Sequence, residues 1–176
     1  MNQHHSLRET DAAEVNAVTL QCLTFMLGDE MFALDIRTVR EIIQYYPMTS
    51  VPMMPAFVRG VINLRGAVVP VIDLQLRFGR AAAAIGKKAC IVIFDGVRDG
   101  ERIEFGLLVD AVSEVIDFSS QAIEPAPSFG TSVRRDFIHG IGKVGKRFVI
   151  IIEPAKALDL DEMADMCEST QATRSN

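Results

Sequence analysis

The fold is decided by Asn63-Leu64-Arg65-Gly66-Ala67-Val68-Val69-Pro70-Val71-Ile72-Asp73-Leu74, a run that is entered through Pro55-Ala56-Phe57-Val58-Arg59-Gly60. Apolar residues crowd both sides of Arg65-Gly66, and Gly66 supplies the backbone freedom that a reversal between two strands needs. The run therefore predicts a strand, a tight turn and a second strand. It also places the guanidinium of Arg65 at the turn, where a scaffold presents contacts.

The size and composition of the chain indicate one compact, soluble body. Its 176 residues can form one core of ordinary size or two small barrels that share a wall. Hydrophobic residues make up 49% and charged residues 23%, which excludes a disordered chain. No apolar run approaches the roughly 20 residues of a membrane helix, so we expect no direct membrane insertion. Residues 1–14 lack the apolar segment of a signal peptide, and we therefore expect a cytoplasmic protein.

The charge and the cysteines argue against nucleic acid and metal ions as partners. The formal net charge is -5, whereas binding to a phosphate backbone is dominated by clustered Lys and Arg. The three cysteines, Cys22, Cys90 and Cys167, are far apart and form no Cys-x-x-Cys pair, so neither a disulfide framework nor a zinc site is indicated. We expect Cys22 and Cys90 to be small core residues in strands.

Short strands are predicted along most of the body, which lies between two polar tails, residues 1–17 and 163–176. The ambiguous segment is Arg37–Tyr46, because its apolar residues fit both a helical stripe and one face of a strand. We interpret it as a short turn followed by a strand that carries Val39 and Glu41 on one face. The other predicted strands cover residues 18–27, 31–36, 89–94, 103–109, 112–116, 137–144 and 147–152, beside the pair around Arg65-Gly66.

Helical structure is predicted only in short turns. One runs from Pro52 through Phe57 and ends at Gly60, one covers residues 73–78, and a last one follows Pro154 at about residues 155–158. Residues 79–88 look like a connector between two halves, 18–80 and 86–153. About ten short strands with few helices indicate an all-β architecture.

One segment has the sequence pattern of a cofactor-binding site. Gly140-Ile141-Gly142-Lys143-Val144-Gly145 matches the dinucleotide fingerprint G-x-G-x-x-G letter by letter, but that fingerprint must open a helix, and the β run Arg147–Ile152 follows instead. A barrel strand kinked by glycine is the preferred interpretation. His4, His5 and His139 belong to no visible cluster of His, Cys and carboxylates, so we expect neither an enzyme nor a bound cofactor.

The order and spacing of several segments resemble the CheW family of chemotaxis coupling proteins, from about residue 20 to about residue 160. Each segment alone is weakly specific, but the combination is highly specific. The segments are Leu27-Gly28-Asp29-Glu30, Ala33-Leu34-Asp35-Ile36, Val39-Arg40-Glu41-Ile42, residues 55–66, residues 69–74, residues 106–112 and Pro125-Ala126-Pro127.

The resemblance implies a single domain over residues 18–160, built as two intertwined SH3-like five-stranded β-barrels with a third apolar core between them. The two halves would supply the first and the second barrel, and strand exchange between them stays open. It also implies an adaptor without enzymatic activity. Proteins of this family couple the cytoplasmic hairpin tips of chemoreceptors to the histidine kinase CheA, whose regulatory domain has the same fold. We therefore expect a cytoplasmic scaffold that is recruited to membrane-associated receptor arrays.

The family's receptor-contact positions carry over to three residues of this chain, and three further residues are expected beside them. The planar fork of the Arg65 guanidinium would bond acidic and carbonyl groups at the receptor tip. From the residues alone, a solvated turn residue is the alternative for Arg65. The positions are Val39, Glu41 and Arg65, with Ile36, Gly60 and Val112 as neighbours.

The kinase-facing surface is expected in the second half, where the loop Glu124–Phe129 matches a contact segment of the family. Phe129 is the natural anchor of a small interface, although it could also fold back onto the core. Glu124 departs from the family pattern, because some relatives carry a basic residue there. The charge pair of those relatives is therefore not expected here, unless the matching kinase carries the reversed charge.

Two other functions stay open. A small-molecule or nucleotide-binding β-barrel would use the glycine-rich segment near Gly142. A CheW-like adaptor of a receptor–kinase pathway other than motility would use the same surfaces as the chemotaxis adaptor.

Overall fold

The computed structural model describes residues 18–98, 100–127 and 137–154. A 3-10 turn, Ile36–Thr38, and one short helix, α1 (Leu74–Arg77), accompany the strands. The strands are β1 (Thr19–Leu27), β2 (Glu30–Asp35), β3 (Val39–Gln44), β4 (Val58–Leu64), β5 (Ala67–Asp73), β6 (Cys90–Arg98), β7 (Glu101–Val109), β8 (Ala111–Ser119), β9 (Ile138–Val144) and β10 (Arg147–Ile152).

The strands form two five-stranded sheets, so the predicted all-β architecture is confirmed. Sheet A has the order β8-β1-β2-β10-β9, and sheet B has the order β3-β6-β7-β5-β4. Neighbouring strands are antiparallel except in the pairs β10–β2 and β5–β7, which are parallel. The turn followed by a strand at residues 36–44 and the helical turn after Asp73 also agree with the sequence-based predictions.

The described residues form three apolar cores, one within each sheet and one between the sheets. Cys22, Phe118 and Ile151 belong to a core lined by sheet A, and Ile62, Val71 and Ile91 belong to one lined by sheet B. The largest core draws residues from both sheets and contains four fully buried phenylalanines. These are Phe25, Phe32, Phe94 and Phe105.

The two sheets do not follow the two halves of the sequence, 18–80 and 86–153. The first half places β1 and β2 in sheet A but β3, β4 and β5 in sheet B, and the second half places β6 and β7 in sheet B but β8, β9 and β10 in sheet A. Each barrel is therefore completed by strands from the other half of the chain. The tails, 1–17 and 163–176, and the helix predicted at 155–158 lie outside the described residues.

The helical turn predicted from Pro52 to Gly60 is wrong. Residues 52–53 and 56–57 form turns without a helix, and β4 already begins at Val58, so Gly60 lies inside a strand. The reason is a tertiary contact, because Thr49 and Val61 form an antiparallel bridge with both backbone hydrogen bonds, at 3.1 and 2.8 Å. This bridge holds the preceding chain along the edge of β4.

An internal repeat relates the hairpin β4–β5 to the hairpin β9–β10. Residues 57–74 align without gaps with residues 137–154, and the equivalent hairpins pair in parallel with β7 and β2. In each copy the residue at the end of the hairpin donates its amide to the carbonyl before the first strand. These bonds join Asp73 to Phe57 at 2.8 Å and Glu153 to Phe137 at 2.9 Å.

Candidate docking site

Arg65 lies at the tip of the hairpin β4–β5, as the sequence predicts. Its φ is 54° and that of Gly66 is 85°, so both central residues of the turn have the positive φ of the two-residue hairpin turn that twists with its strands. The amide of Gly66 donates to Asn63 Oδ1 at 3.0 Å, which fixes the turn. The Arg65 side chain is 70% exposed, so it is presented to solvent by a rigid hairpin.

The Arg65 guanidinium forms an ion pair with Glu41, which is 24 residues away in sequence. Arg65 Nη2 donates to Glu41 Oε1 at 2.6 Å, and the Glu41 side chain is 26% exposed. Glu41 lies on β3 and Arg65 beside β4, which are opposite edges of sheet B. The ion pair therefore marks the place where the sheet curls until its two edges meet. Two of the predicted receptor-contact residues are brought together here.

The apolar residues predicted for the receptor contact are partly buried and pack against the large core between the sheets. They are Ile36, Val39 and Val112. Ile36 begins the 3-10 turn, Val39 follows it, and Val112 lies on β8 opposite Phe25. The apolar part of the predicted contact surface is thus anchored to the centre of the molecule.

Asp35 fixes the turn that carries Ile36. Its carboxylate accepts hydrogen bonds from the Arg37 amide at 2.9 Å and from Arg37 Nη2 at 2.7 Å. These hydrogen bonds, with the side-chain bond first, hold the pKa of Asp35 below its usual value. The charged cap keeps the entry into β3 in one conformation.

Gly60 has a packing role that the sequence did not reveal. A Cβ built on it would lie 2.6 Å from the carbonyl oxygen of Thr49 and 2.8 Å from Met48 Cγ. Only glycine therefore allows residues 48–49 to cross β4 so closely. The structure therefore gives Gly60 a role in this crossing.

The residues predicted to face the kinase lie elsewhere. Glu124 is exposed and forms an antiparallel bridge with Ile141, next to the edge strand of sheet A. Phe129 lies outside the described residues.

The sequence analysis missed Phe148 on β10, which is 62% exposed, and the internal repeat is the signal that could have found it. At the equivalent place in the other hairpin, Val68 is also exposed, by 67%.

The glycine-rich segment near Gly142 is a packed strand and does not open a helix. A Cβ on Gly140 would meet Ile123 and the carbonyl oxygen of Glu124, and a Cβ on Gly142 would meet the ring of Phe118. These glycines are needed for close packing, as the glycine-kinked strand interpretation predicts.

Within residues 18–98, 100–127 and 137–154, no three His, Cys, Asp or Glu residues lie close enough together to bind a metal ion. In the same described part of the chain, every helix is too short or too polar to span a bilayer.

Known proteins share this architecture and much of the sequence. The CheW-like domain family matches residues 21–162. The chemotaxis protein CheW of Klebsiella aerogenes is 34% identical over 142 residues, which are 81% of this chain and 83% of that protein. The probable chemotaxis protein CheW of Rhizobium etli is 39% identical over 133 residues, or 76% of this chain and 83% of that protein.

A solved structure agrees with the strand arrangement. The scaffolding protein TtCheW from Thermoanaerobacter tengcongensis matches with a TM-score of 0.70 and 35% identity, over 87% of this chain and 90% of that chain. The matched part of the sequence covers the strands of both sheets and the core that the sheets share. The chain therefore belongs to the CheW-like family of chemotaxis scaffold proteins.

Proposed function

We propose that this protein is a cytoplasmic adaptor that couples the cytoplasmic tips of chemoreceptors to the histidine kinase CheA in membrane-associated arrays. The mechanism is non-covalent: one surface binds the receptor tip, another binds the regulatory domain of the kinase, and receptor motion reaches the kinase through the rigid body between them. Family membership supports this role as the general one of such scaffolds.

The observation that carries the proposal is the Arg65–Glu41 pair. An exposed ion pair contributes only about 0 to 1 kcal/mol to stability, so stability alone is a weak reason for it. The pair instead holds a flexible guanidinium in one orientation before a partner arrives, which lowers the entropy cost of binding. Ile36, Val39 and Val112 would add the apolar contact with the helical receptor tip.

The experiment measures binding of the purified chain to a receptor hairpin fragment and to the CheA regulatory domain from the same genome. We expect Arg65→Glu to weaken receptor binding by about tenfold or more, because it places a carboxylate where a guanidinium meets acidic groups. The circular dichroism spectrum should not change.

Arg102→Glu is the matched control, since it makes the same charge change on a side chain that is 62% exposed in the same sheet. It should leave receptor binding intact. On the other surface, Phe129→Ser should weaken kinase binding without loss of receptor binding. Normal receptor binding by Arg65→Glu would overturn the proposed receptor site.

A further inference from the structure

The pairing of the edge strand β3 with β6 is interrupted at Arg40. Val39 is opposite Phe94, and Glu41 is opposite Ile93. Two steps along β3 thus cover one step along β6, and Arg40 is the extra residue of a β-bulge. A bulge of this kind re-aims the side chains beside it.

The bulge decides which side of sheet B Glu41 faces. Residues directly opposite each other point to the same face, whereas successive residues of β6 point to opposite faces. Phe94 belongs to the large core between the sheets, and Ile93 belongs to the core lined by sheet B. Val39 and Glu41 therefore face different sides, so the prediction that they share one face is wrong. Without the extra residue, Glu41 would be opposite Val92, which is fully buried in the large core.

The guanidinium of Arg40 connects β3 to two carboxylates of the hairpin β6–β7. Its Nε lies 3.5 Å from Asp95 Oδ2 and 3.8 Å from Glu104 Oε1. In sheet B, β6 is the neighbour of β3, and β7 follows it. One side chain thus holds the edge strand against two others at the position of the bulge.

Asp95 and Glu104 require a cation beside them. They are directly opposite each other on β6 and β7, an arrangement in which like charges repel. Their side chains are only 19% and 24% exposed, so salt and water screen this repulsion poorly. Among the described residues, Asp95 Oδ1 is buried without a hydrogen-bond partner. Removal of the Arg40 guanidinium would leave two poorly hydrated carboxylates face to face.

We infer that Arg40 is a positioning residue for the proposed receptor site. Its ion pairs hold the bulge in place, and the bulge turns Glu41 toward Arg65, whose Nη2 lies 2.6 Å from Glu41 Oε1. The inference rests on the proposed function, because it explains how this pair is kept ready for the receptor tip. A pair that is already assembled loses less entropy on binding than one that must first form.

The test measures the affinity of purified variants for a receptor hairpin fragment and for the CheA regulatory domain from the same genome. We expect Arg40→Gln to weaken binding of the receptor fragment by about fivefold or more, because Glu41 loses its fixed direction. Regulatory-domain affinity should stay within about twofold of wild type, since that surface is distant from β3.

Arg102→Gln is the matched control. Arg102 Nε lies 3.7 Å from the same oxygen of Asp95, but Arg102 belongs to β7 and not to the bulged strand. The substitution removes the same charge from the cluster and should leave receptor-fragment affinity within about twofold of wild type. An equal loss in Arg40→Gln and Arg102→Gln would overturn the inference, because the charge of the cluster and not the bulge would then matter.

A double-mutant cycle separates positioning from direct contact with the receptor. If Arg40 acts through Glu41, Arg40→Gln should change receptor-fragment affinity by less than about twofold in a Glu41→Gln background. The full loss in that background would mean that Arg40 acts without Glu41, and the inference would be wrong. If Arg40→Gln does not fold, Arg40→Lys replaces it in the cycle. Its expected loss is about threefold, because one ammonium does not span both carboxylates as the planar guanidinium does.

The wild-type chain distinguishes the two levels of the argument. A wild-type chain that does not bind the receptor fragment overturns the proposed function, and the inference with it. A wild-type chain that binds the fragment, with a folded Arg40 variant that binds equally well, overturns the inference alone.

Discussion

At the scale of single residues, Arg65 has a backbone conformation that residues with a Cβ rarely adopt. A residue with a Cβ in the left-handed region costs about 1 to 2 kcal/mol, and Asn or Gly usually occupies this position of a hairpin turn. Arg65 has a φ of 54° and nevertheless points its guanidinium at Glu41. Backbone strain of this kind is concentrated at functional sites, where the surrounding structure holds it in place.

Arg65→Asn should therefore separate stability from binding. Asn tolerates the positive φ, which offsets the loss of an exposed ion pair worth about 0 to 1 kcal/mol, so the free energy of unfolding should stay the same or rise by up to about 1 kcal/mol. Receptor binding should fall. Urea unfolding and a receptor pull-down check the two parts, and a destabilisation well above 1 kcal/mol would contradict the strain argument.

A second residue, Cys22, should make stability depend on pH. It is fully buried in β1, and burial followed by the charge of Asp35 raises the pKa of its thiol from 9.0 to about 11. Between these values the unfolded chain releases the thiol proton while the folded chain keeps it, so the folded state loses stability as the pH rises. From pH 8 to pH 11 the loss should be about 2 kcal/mol.

The measurement is the free energy of unfolding of wild type and of Cys22→Ala across this pH range. Other groups titrate in both proteins, so the difference between the two curves isolates the thiol. Parallel curves would mean that the thiol does not titrate differently in the folded and unfolded states.

At the scale of the elements, the repeated hairpins share one packing device. In each copy a glycine in the first strand lets a neighbouring segment cross the strand closely. Thr49 crosses at Gly60, and Glu124 crosses at Gly140.

The strands and the turn of the first hairpin were predictable from apolar composition and from Arg65-Gly66, because these are local signals. The separate turns within residues 52–57 were not predictable, because the Thr49–Val61 bridge overrides the local helical preference.

Gly60→Ala should destabilise the protein by about 1 to 3 kcal/mol, since its methyl group would collide with a backbone carbonyl that cannot move freely. Gly86→Ala is the control, because a Cβ there meets nothing within 4 Å, and its effect should stay within about 0.5 kcal/mol. Chemical denaturation of both variants measures the difference. Equal effects would contradict the packing role of Gly60.

At the scale of the whole molecule, the two halves of the chain are interlocked. Each sheet takes strands from both halves, and α1 adds a contact between the repeats. The guanidinium of Arg77 lies 5.2 Å from the ring centroid of Phe57 and 4.8 Å from that of Phe137, two equivalent positions of the repeat. The surfaces proposed for receptor and kinase thus belong to one continuous body.

Cutting the chain between the halves should abolish folding of each piece. Fragments 1–85 and 86–176 each contain only part of both sheets, so neither can close a barrel or bury the central core. We expect poorly dispersed amide NMR spectra for each fragment alone and a dispersed, native-like spectrum for the equimolar mixture. An independently folded fragment would show that the strand exchange is not required.

The sequence by itself determined the all-β class, most strand positions, the turn at Arg65-Gly66 and the family, because alternation, turn residues and segment order are local properties of the chain. It also excluded a helix after the glycine-rich segment. Only the tertiary structure decided which strands share a sheet, that Glu41 meets Arg65, and that a bulge at Arg40 separates the faces of Val39 and Glu41. These features depend on contacts between residues far apart in sequence, for which no local pattern carries a signal.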